Sequence, residues 1–358
     1  MAVAEGRRAP GSAGVPSGPM GVRRTLRSLR PGLRGFVRVM RANPLTLLGF
    51  AMVVVIVVLA LLITILPIVG QALLGRPLSI LPYDPAYYPS PCPGPIVNNV
   101  TVCSLPPSAQ HFLGTDNLGR DMFSRVLAAL PLDLAIGFSI TLFALLVGGS
   151  LGLVAGYWDR PGTIGGVFSV MILRLADVFL AFPSLVLALA IAATLGRDLG
   201  PSLLAILFTW WPYYVRLVRG EVLVVKQQPY IVAAKAAGVS DVRIVLRHVI
   251  RNIIEPVLVY FTLDVGTVIV TFSTISFIGV GVKLGVLEWG NMVEGYQTYL
   301  TSYPWMVLSA GAAIFLTVLA FGLLGDGLRD VLDPRSRRAL AQTAVPTTLP
   351  IAAVPAEA

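Results

Sequence analysis

Long apolar runs, rather than short alternating segments, dominate the pattern of hydrophobic and polar positions along this chain. Six runs follow one another, at residues 45–70, 134–158, 167–195, 201–218, 256–281 and 305–324. The first carries no charged residue. As a helix with a rise of ~1.5 Å per residue it would be roughly 39 Å long, enough to cross a hydrocarbon core of ~30 Å. The pattern therefore predicts six transmembrane helices, with Pro183 kinking the third.

Basic residues indicate on which side of the membrane the ends of the chain lie. Residues 1–43 carry nine arginines and one acidic residue, and Arg216 and Arg219 mark the end of the fourth run. Because loops rich in Lys and Arg stay in the cytoplasm, both termini are predicted to be cytoplasmic. The N-terminal segment is either a basic helix on anionic lipid, bent at Pro31, or a solvated tail. We thus predict an all-α membrane protein with six transmembrane helices.

Composition agrees with this interpretation. Of the 358 residues, 56% are hydrophobic and 13% are charged, whereas a soluble domain has about 25% charged residues. A net charge of +9 can indicate a nucleic-acid partner. Here the positive residues stand beside apolar runs, so membrane topology explains them and no nucleic acid is expected.

The segment 71–131 is hydrophilic and lies outside the cell in this topology. It is dense in proline and contains both cysteines, Cys92 and Cys103. An oxidising exterior would allow a disulfide between them, and two free thiols are the alternative. Asn99 begins an Asn-Val-Thr glycosylation sequence. Within residues 111–133, apolar positions recur at helical spacing between charged ones, which predicts an amphipathic helix on the outer surface.

Three charged residues lie deep within the third and fifth apolar runs. Arg174 and Asp177 are three positions apart on one face of the third span. They can neutralise each other, tie helices together or lie on a solute path. Asp264, in the fifth span, has no oppositely charged neighbour in the sequence and should meet a hydrogen-bond partner or a wet cavity.

Glycines form a regular pattern in the second span. Gly148, Gly152 and Gly156 recur every four residues and so share one face of a helix. Because glycine lets two backbones approach each other, this face predicts close packing against a neighbouring helix rather than a gate.

The polar stretch 220–252, between the fourth and fifth runs, is too charged for the bilayer core. Residues 229–252 predict two short helices broken at Gly238, which suits the left-handed residue after a helix end. Ser240 is expected to cap the second helix, with Asp241 in its first turn, where a negative charge favours the helix dipole.

No ATP-binding motif accompanies these features. The sequence lacks a Gly-x-x-x-x-Gly-Lys-Ser/Thr phosphate loop, and its two histidines, His111 and His248, are far apart. We therefore expect neither an enzyme nor a bound metal or cofactor. If the protein uses ATP, another chain must bind it.

Four motifs resemble the inner-membrane permeases of binding-protein-dependent ABC importers, specifically the shorter second permease of the dipeptide, oligopeptide and nickel group. They are His111–Asp121 with Ser124-Arg125, Arg174–Asp177 with Ala181–Pro183, Tyr214–Glu221, and Ser276–Gly279 with Trp289–Met292. The resemblance implies a type I importer core in the plasma membrane of a prokaryote.

The polar hairpin resembles the EAA loop of that family, with departures. Val232 replaces the family's Glu, and Ile250-Arg251 replaces its Leu-Pro ending. The matching alanines form a small-residue surface. The resemblance implies that an ATPase binds there. The implied coupling residues are Ala233, Ala234, Ala237, Gly238 and Asp241.

The implied function is to form half of the translocation pathway of an ATP-driven importer for di- and oligopeptides or a related solute, with oligosaccharides or nickel as alternatives. The implied partners are a second related permease, two cytoplasmic ATP-binding subunits and an extracytoplasmic solute-binding protein. A stand-alone secondary transporter would need more ion-coupling charges in its spans than Arg174, Asp177 and Asp264.

These predictions divide the chain into five segments. They are a basic cytoplasmic tail (1–43), a first transmembrane helix (44–70), an extracytoplasmic Pro-rich loop with an amphipathic segment (71–131), a permease core (132–328) with five transmembrane helices and the coupling loop (220–252), and a cytoplasmic C-terminal tail (329–358).

Overall fold

A computed structural model describes residues 43–87, 96–97, 100–101, 103–283 and 285–332. The basic helix expected around Pro31 lies outside these residues, as do Cys92 and Asn99.

Helices make up most of the described structure. They are α1 (Pro44–Leu74), α2 (Met122–Tyr157), α3 (Ile164–Leu180), α4 (Ser184–Leu195), α5 (Leu199–Lys226), α6 (Pro229–Ala236), α7 (Asp241–Ile244), α8 (Ile250–Phe277), α9 (Trp289–Tyr296) and α10 (Trp305–Leu332). Two short strands, β1 (Ile96–Val97) and β2 (Val100–Thr101), pair antiparallel between α1 and α2. Among the described residues, the fold is helical apart from this hairpin.

Length and composition indicate four or five membrane spans among the described helices. α1, α2, α10 and the continuous helix from Asp241 to Phe277 are each long and apolar enough to cross a membrane. α3 and α4 make a fifth span if the pair is taken as one broken helix. α5 holds the fourth predicted run, but tryptophans, tyrosines, a proline and charged residues occupy its second half. The described helices therefore provide the six predicted spans only if α5 also crosses the membrane.

The third predicted span is broken at its proline. α3 and α4 are bent by 82° across Ala181–Pro183, which confirms the position of the expected kink and shows a sharper bend. Pro183 has no N–H to continue the helix, and its ring restricts the backbone of the residue before it. α4 begins directly after this proline.

The prediction of a separate amphipathic helix over residues 111–133 is wrong. The helix begins later in the sequence, and its apolar face is buried. The chain is a loop as far as Asp121, whose carboxylate accepts a hydrogen bond from the Ser124 N–H (2.8 Å) and caps α2. From Met122 onward the helix is continuous with the second span. Its apolar face is buried against α8, α9 and α10 rather than lying on the outer surface.

The second helix of the polar hairpin is also not a short, separate element. α7 passes through one π-helical turn, Val245–Val249, directly into α8. The family that the hairpin resembles ends this helix with Leu-Pro. This chain has Ile250-Arg251 instead, so no proline interrupts the backbone at this point. The hairpin is therefore continuous with the fifth span.

The glycine face of α2 packs directly on α5, which confirms the close approach predicted from the spacing. A Cβ atom on Gly152 would lie 2.5 Å from the Val215 carbonyl oxygen, and one on Gly156 would lie 2.8 Å from Val222 Cβ. No side chain fits at either distance, so α2 and α5 are in direct contact at these positions.

Gly152→Ala is expected to destabilise the folded protein by about 1–3 kcal/mol, because the new methyl group would meet backbone atoms that cannot rotate away. Gly149 is the matched control. A Cβ atom there would meet only side-chain carbons, Leu145 Cδ1 at 3.3 Å and Val218 Cγ2 at 3.6 Å. Gly149→Ala should leave the thermal unfolding midpoint in detergent nearly unchanged. Equal midpoints for the two variants would contradict this packing.

Candidate coupling site

The break in the polar hairpin is a Schellman motif at the end of α6. Gly238 has a φ of +76°, and its N–H donates to the Lys235 carbonyl oxygen (3.1 Å). The Val239 N–H donates to the Ala234 carbonyl oxygen (3.1 Å). These bonds satisfy two carbonyl groups at the helix end, and they require a left-handed backbone that residues with a Cβ atom rarely adopt. The predicted role of Gly238 as a helix break is confirmed.

Apolar contacts fix the hairpin to the ends of the bundle helices. Ile231 is buried, and Ala234 and Val239 are partly buried. They pack in one cluster with residues of α2, α5, α7 and the π turn: Tyr157, Val218, Val222, Val225, Ile244, Val245 and Val249. Because packed clusters deform little, a displacement of the hairpin should carry these helix ends with it.

Asp241 joins three elements, beyond the helix-dipole role expected for it. Its carboxylate accepts a hydrogen bond from the Tyr157 hydroxyl (2.8 Å) and forms ion pairs with Arg160 (3.3 Å) and Lys235 (3.6 Å). It thus links α7 to α2, to the turn after α2 and to α6. The Ser240 hydroxyl makes no capping hydrogen bond, so the side-chain cap expected there is wrong.

The hairpin surface that faces away from the bundle is exposed and largely apolar. Small residues form its centre: Ala233, Ala236, Ala237 and Gly238. Large apolar side chains around them are also exposed, namely Tyr230, Val232, Val242 and Leu246. Val232, which stands where the resembled family has Glu, is 59% exposed. A surface of this kind fits the groove of a partner protein.

A cavity of about 350 Å³ opens beside this surface. It is lined by Tyr157, Lys226, Ile231, Val232, Lys235 and Ala236. The ammonium groups of Lys226 and Lys235 lie 5.7 and 5.9 Å from the centre of the Tyr157 ring. Two ammonium groups near one aromatic ring give the cavity a positive rim, which favours an acidic side chain from a partner.

Arg174 and Asp177, in the third predicted span, do not pair with each other in the structure. Asp177 Oδ1 accepts a hydrogen bond from Arg216 Nη2 of α5 at 2.7 Å, which ties α3 to α5. Arg174 is exposed, and among the described residues it has no ion-pair partner. The two residues share the predicted helix but have different surroundings.

Asp264 is buried between α5 and α8. Its Oδ2 atom accepts hydrogen bonds from the Trp210 indole N–H (2.9 Å) and from the Tyr214 hydroxyl (3.0 Å). The structure therefore provides the hydrogen-bond partner favoured for this carboxyl group, and Asp264 ties the two helices together.

At the other end of the bundle, the loop before α2 is organised around Asp116, which is fully buried. Asp116 Oδ1 accepts from the N–H groups of Leu118 and Arg120, both at 2.9 Å. Its Oδ2 accepts from Arg120 Nε (2.7 Å) and the Tyr296 hydroxyl (2.9 Å), and Arg125 Nε lies 3.7 Å away. Burial, with the nearby Asp116 charge, raises the pKa of Tyr296 to about 12. The hydroxyl therefore remains a donor at neutral pH.

The sequence predicted a surface helix in place of this loop and gave no indication of its distant partners. Tyr296 lies 180 positions beyond Asp116. Trp305 donates from its indole N–H to the Thr115 carbonyl oxygen (3.0 Å). Glu288, also missed, is buried and caps α9. Contacts between residues so far apart in the sequence leave no signal in the local spacing of residues. The aspartate-arginine motif itself is the one feature of the sequence that indicates an ordered loop here.

Cys103 is disulfide-bonded. Cys92 is the only other cysteine in the sequence but lies outside the described residues, so their pairing stays a prediction. Cys92→Ser is expected to make Cys103 alkylatable without reductant, whereas the unmodified chain should gain no alkyl group. Intact-mass analysis reports both results. An unreactive Cys103 in the variant, or an alkylated parent chain, would rule out the pair.

The helical arrangement is also found in a solved structure. The fold is similar to a chain of the methionine ABC transporter MetNI in an inward-facing conformation, with a TM-score of 0.50 and 18% identity, over 59% of this chain and 98% of that one. The likeness shows that the two chains share a helical fold.

The sequence then shows the family. Residues 148–338, more than half of the chain, match the family described as binding-protein-dependent transport system inner membrane component, and the chain belongs to that family. It is 41% identical over 231 residues to a dipeptide transport system permease protein of Alkalihalophilus pseudofirmus, covering 64% of this chain and 74% of that protein. A probable D,D-dipeptide transport system permease protein of Escherichia coli K12 is 41% identical over 238 residues, with coverages of 66% and 78%. A glutathione transport system permease protein of Escherichia coli O6:K15:H31 is 42% identical over 237 residues, with coverages of 64% and 74%.

Proposed function

We propose that this chain forms half of the translocation pathway of an ATP-driven peptide importer and that ATPases drive it through residues 229–241. The observation that carries the proposal is the exposed small-residue surface of α6, held by Gly238 and anchored to α2 and α5. Relatives named for dipeptide, D,D-dipeptide and glutathione transport support a short peptide as the solute.

The proposed topology has six spans, with α3 and α4 as the third and α5 as the fourth, and both termini in the cytoplasm. It retains the boundaries at residues 43, 70, 131 and 328. Arginines concentrated before α1 and in the second half of α5 support this orientation under the positive-inside rule. The disulfide of Cys103 supports an oxidising side for the loop before α2. The protein is then a multi-pass component of a prokaryotic plasma membrane.

The proposed assembly contains a second related permease, two cytoplasmic ATP-binding subunits and an extracytoplasmic solute-binding protein. Each ATPase would cover one coupling hairpin, with an acidic side chain near Lys226 and Lys235. When the ATPases close, the hairpin would carry the attached ends of α2, α5 and α8. Rigid-body rotation of these packed helices would open the pathway to one side or the other.

Reconstitution of the complete assembly in proteoliposomes tests this function. Uptake of a radiolabelled dipeptide should require ATP, both permeases, the ATPases and the solute-binding protein. Uptake by this chain alone, driven by an ion gradient, would instead identify a secondary transporter. Uptake of an oligosaccharide or nickel without any peptide uptake would overturn the solute class while preserving the ATP-driven mechanism.

A further inference from the structure

One face of α3 is not covered by any part of the described chain. The helix packs on the bundle through small residues, Gly166, Ser169 and Ala176. The opposite face is exposed: Val167, Val170, Met171, Arg174, Leu175 and Val178. Arg174 lies near the middle of this exposed face, because Val170, Met171 and Val178, three or four residues away, belong to it as well.

Charge makes this face unsuitable for lipid. Besides Arg174, the ion pair between Asp177 and Arg216 is exposed, with side-chain fractions of 44% and 57%. Arg174 is ten residues beyond Ile164, the first residue of α3. At a rise of ~1.5 Å per residue it lies about 15 Å along the helix. A charged side chain at mid-bilayer costs roughly 2.5–3.5 kcal/mol even on the lower scales.

The backbone supports the same conclusion independently. Ala181, Phe182 and Pro183 interrupt the helix one turn beyond Asp177, and all three are exposed. Irregular backbone at membrane depth is tolerated only where protein buries it or where it lines a water-filled cavity. α1 provides the contrast, since it is an unbroken helix of 31 residues without a charged side chain and is well suited to lipid.

We propose that the exposed face of α3 lines the wet solute pathway and that the Arg174 guanidinium binds the carboxylate of a peptide in transit. This inference depends on the peptide-importer function proposed above. Asp177 is paired with Arg216, so the three side chains leave one positive charge, on Arg174. A guanidinium binds a carboxylate through two parallel N–H donors, a geometry that an ammonium group does not reproduce.

Thiol labelling tests whether the face is wet without measuring transport. Val178 and Val55 are exposed to similar extents, 60% and 56%, on α3 and on α1. In the complete complex in membranes, Val178→Cys should react with a charged, water-soluble methanethiosulfonate at least tenfold faster than Val55→Cys, after subtraction of the parent chain's labelling. Rates within twofold of each other would overturn the assignment of this face to water.

The second test separates solute binding from assembly. Arg174→Gln should lower dipeptide uptake by roughly tenfold or more, because it removes one charge-assisted contact with the peptide. Stimulation of ATP hydrolysis by the loaded binding protein should remain, because coupling lies elsewhere. Arg174→Lys should recover part of the uptake. Unchanged uptake by Arg174→Gln would refute the subsite, and joint loss of ATP hydrolysis and assembly would assign Arg174 to a structural interface. If the parent complex transports no peptide at all, the proposed function itself fails.

Discussion

Gly238→Val should reduce peptide uptake and solute-stimulated ATP hydrolysis together, by at least tenfold in the assembled complex. Gly238 holds a φ of +76°, and a β-branched residue in that region is strained by about 1–3 kcal/mol. Nothing lies within 4 Å of the position that a Cβ atom would take. The loss would therefore arise from the backbone, since relaxation of this turn changes how α6 is presented to an ATPase.

Gly238→Asn is the matched control, because asparagine tolerates the left-handed region better than other residues with a Cβ atom. It should keep most of the uptake and ATP hydrolysis. Both variants should reach the membrane in equal amounts, because the turn is exposed. Normal uptake with normal ATP hydrolysis in Gly238→Val would show that the conformation of this turn has no part in coupling.

Asp116→Ala should destabilise the protein by about 3–5 kcal/mol, because it removes a buried carboxylate from between two arginines. The Tyr296 hydroxyl would lose its acceptor as well. At about 2–4 °C per kcal/mol, the thermal unfolding midpoint in detergent should fall by roughly 10 °C. The loop before α2 would separate from α9, so less folded complex should be recovered.

Asp84 provides a control in the same outer region. Its side chain is exposed and accepts one local hydrogen bond, from the Ala86 N–H (2.9 Å). Asp84→Ala should change the unfolding midpoint by no more than a degree or two. Asp116→Asn, which keeps acceptor capacity but loses the charge, should fall between the two. A midpoint of Asp116→Ala equal to that of Asp84→Ala would contradict the central position of Asp116 in this network.

Local spacing was sufficient for features that depend on one helix. The uncharged run of α1 predicted a span, and the four-residue glycine repeat predicted the contact between α2 and α5. Pro183 marked the break between α3 and α4 because its effect on the backbone needs no partner. Gly238 could be assigned for the same reason, since a helix end in the left-handed conformation is a property of the local chain.

Features that depend on distant residues could not be predicted in this way. Asp241 was placed correctly at a helix start, but its contact with Tyr157 joins positions 84 residues apart. The loop around Asp116 was taken for part of a surface helix, because its charges had no visible partners in the sequence. The continuity of α7 with α8 was missed, since the polar residues of that segment suggested a separate element.

An ATPase is expected to bind the surface around α6. A photoreactive amino acid placed at Ala237, which is exposed on this surface, tests the claim directly. In the complete complex, illumination should crosslink this chain to an ATP-binding subunit, and the same probe at Val55 on α1 should give no such product. Absence of an ATPase crosslink from Ala237, in a complex that still hydrolyses ATP and takes up peptide, would contradict ATPase binding at this surface.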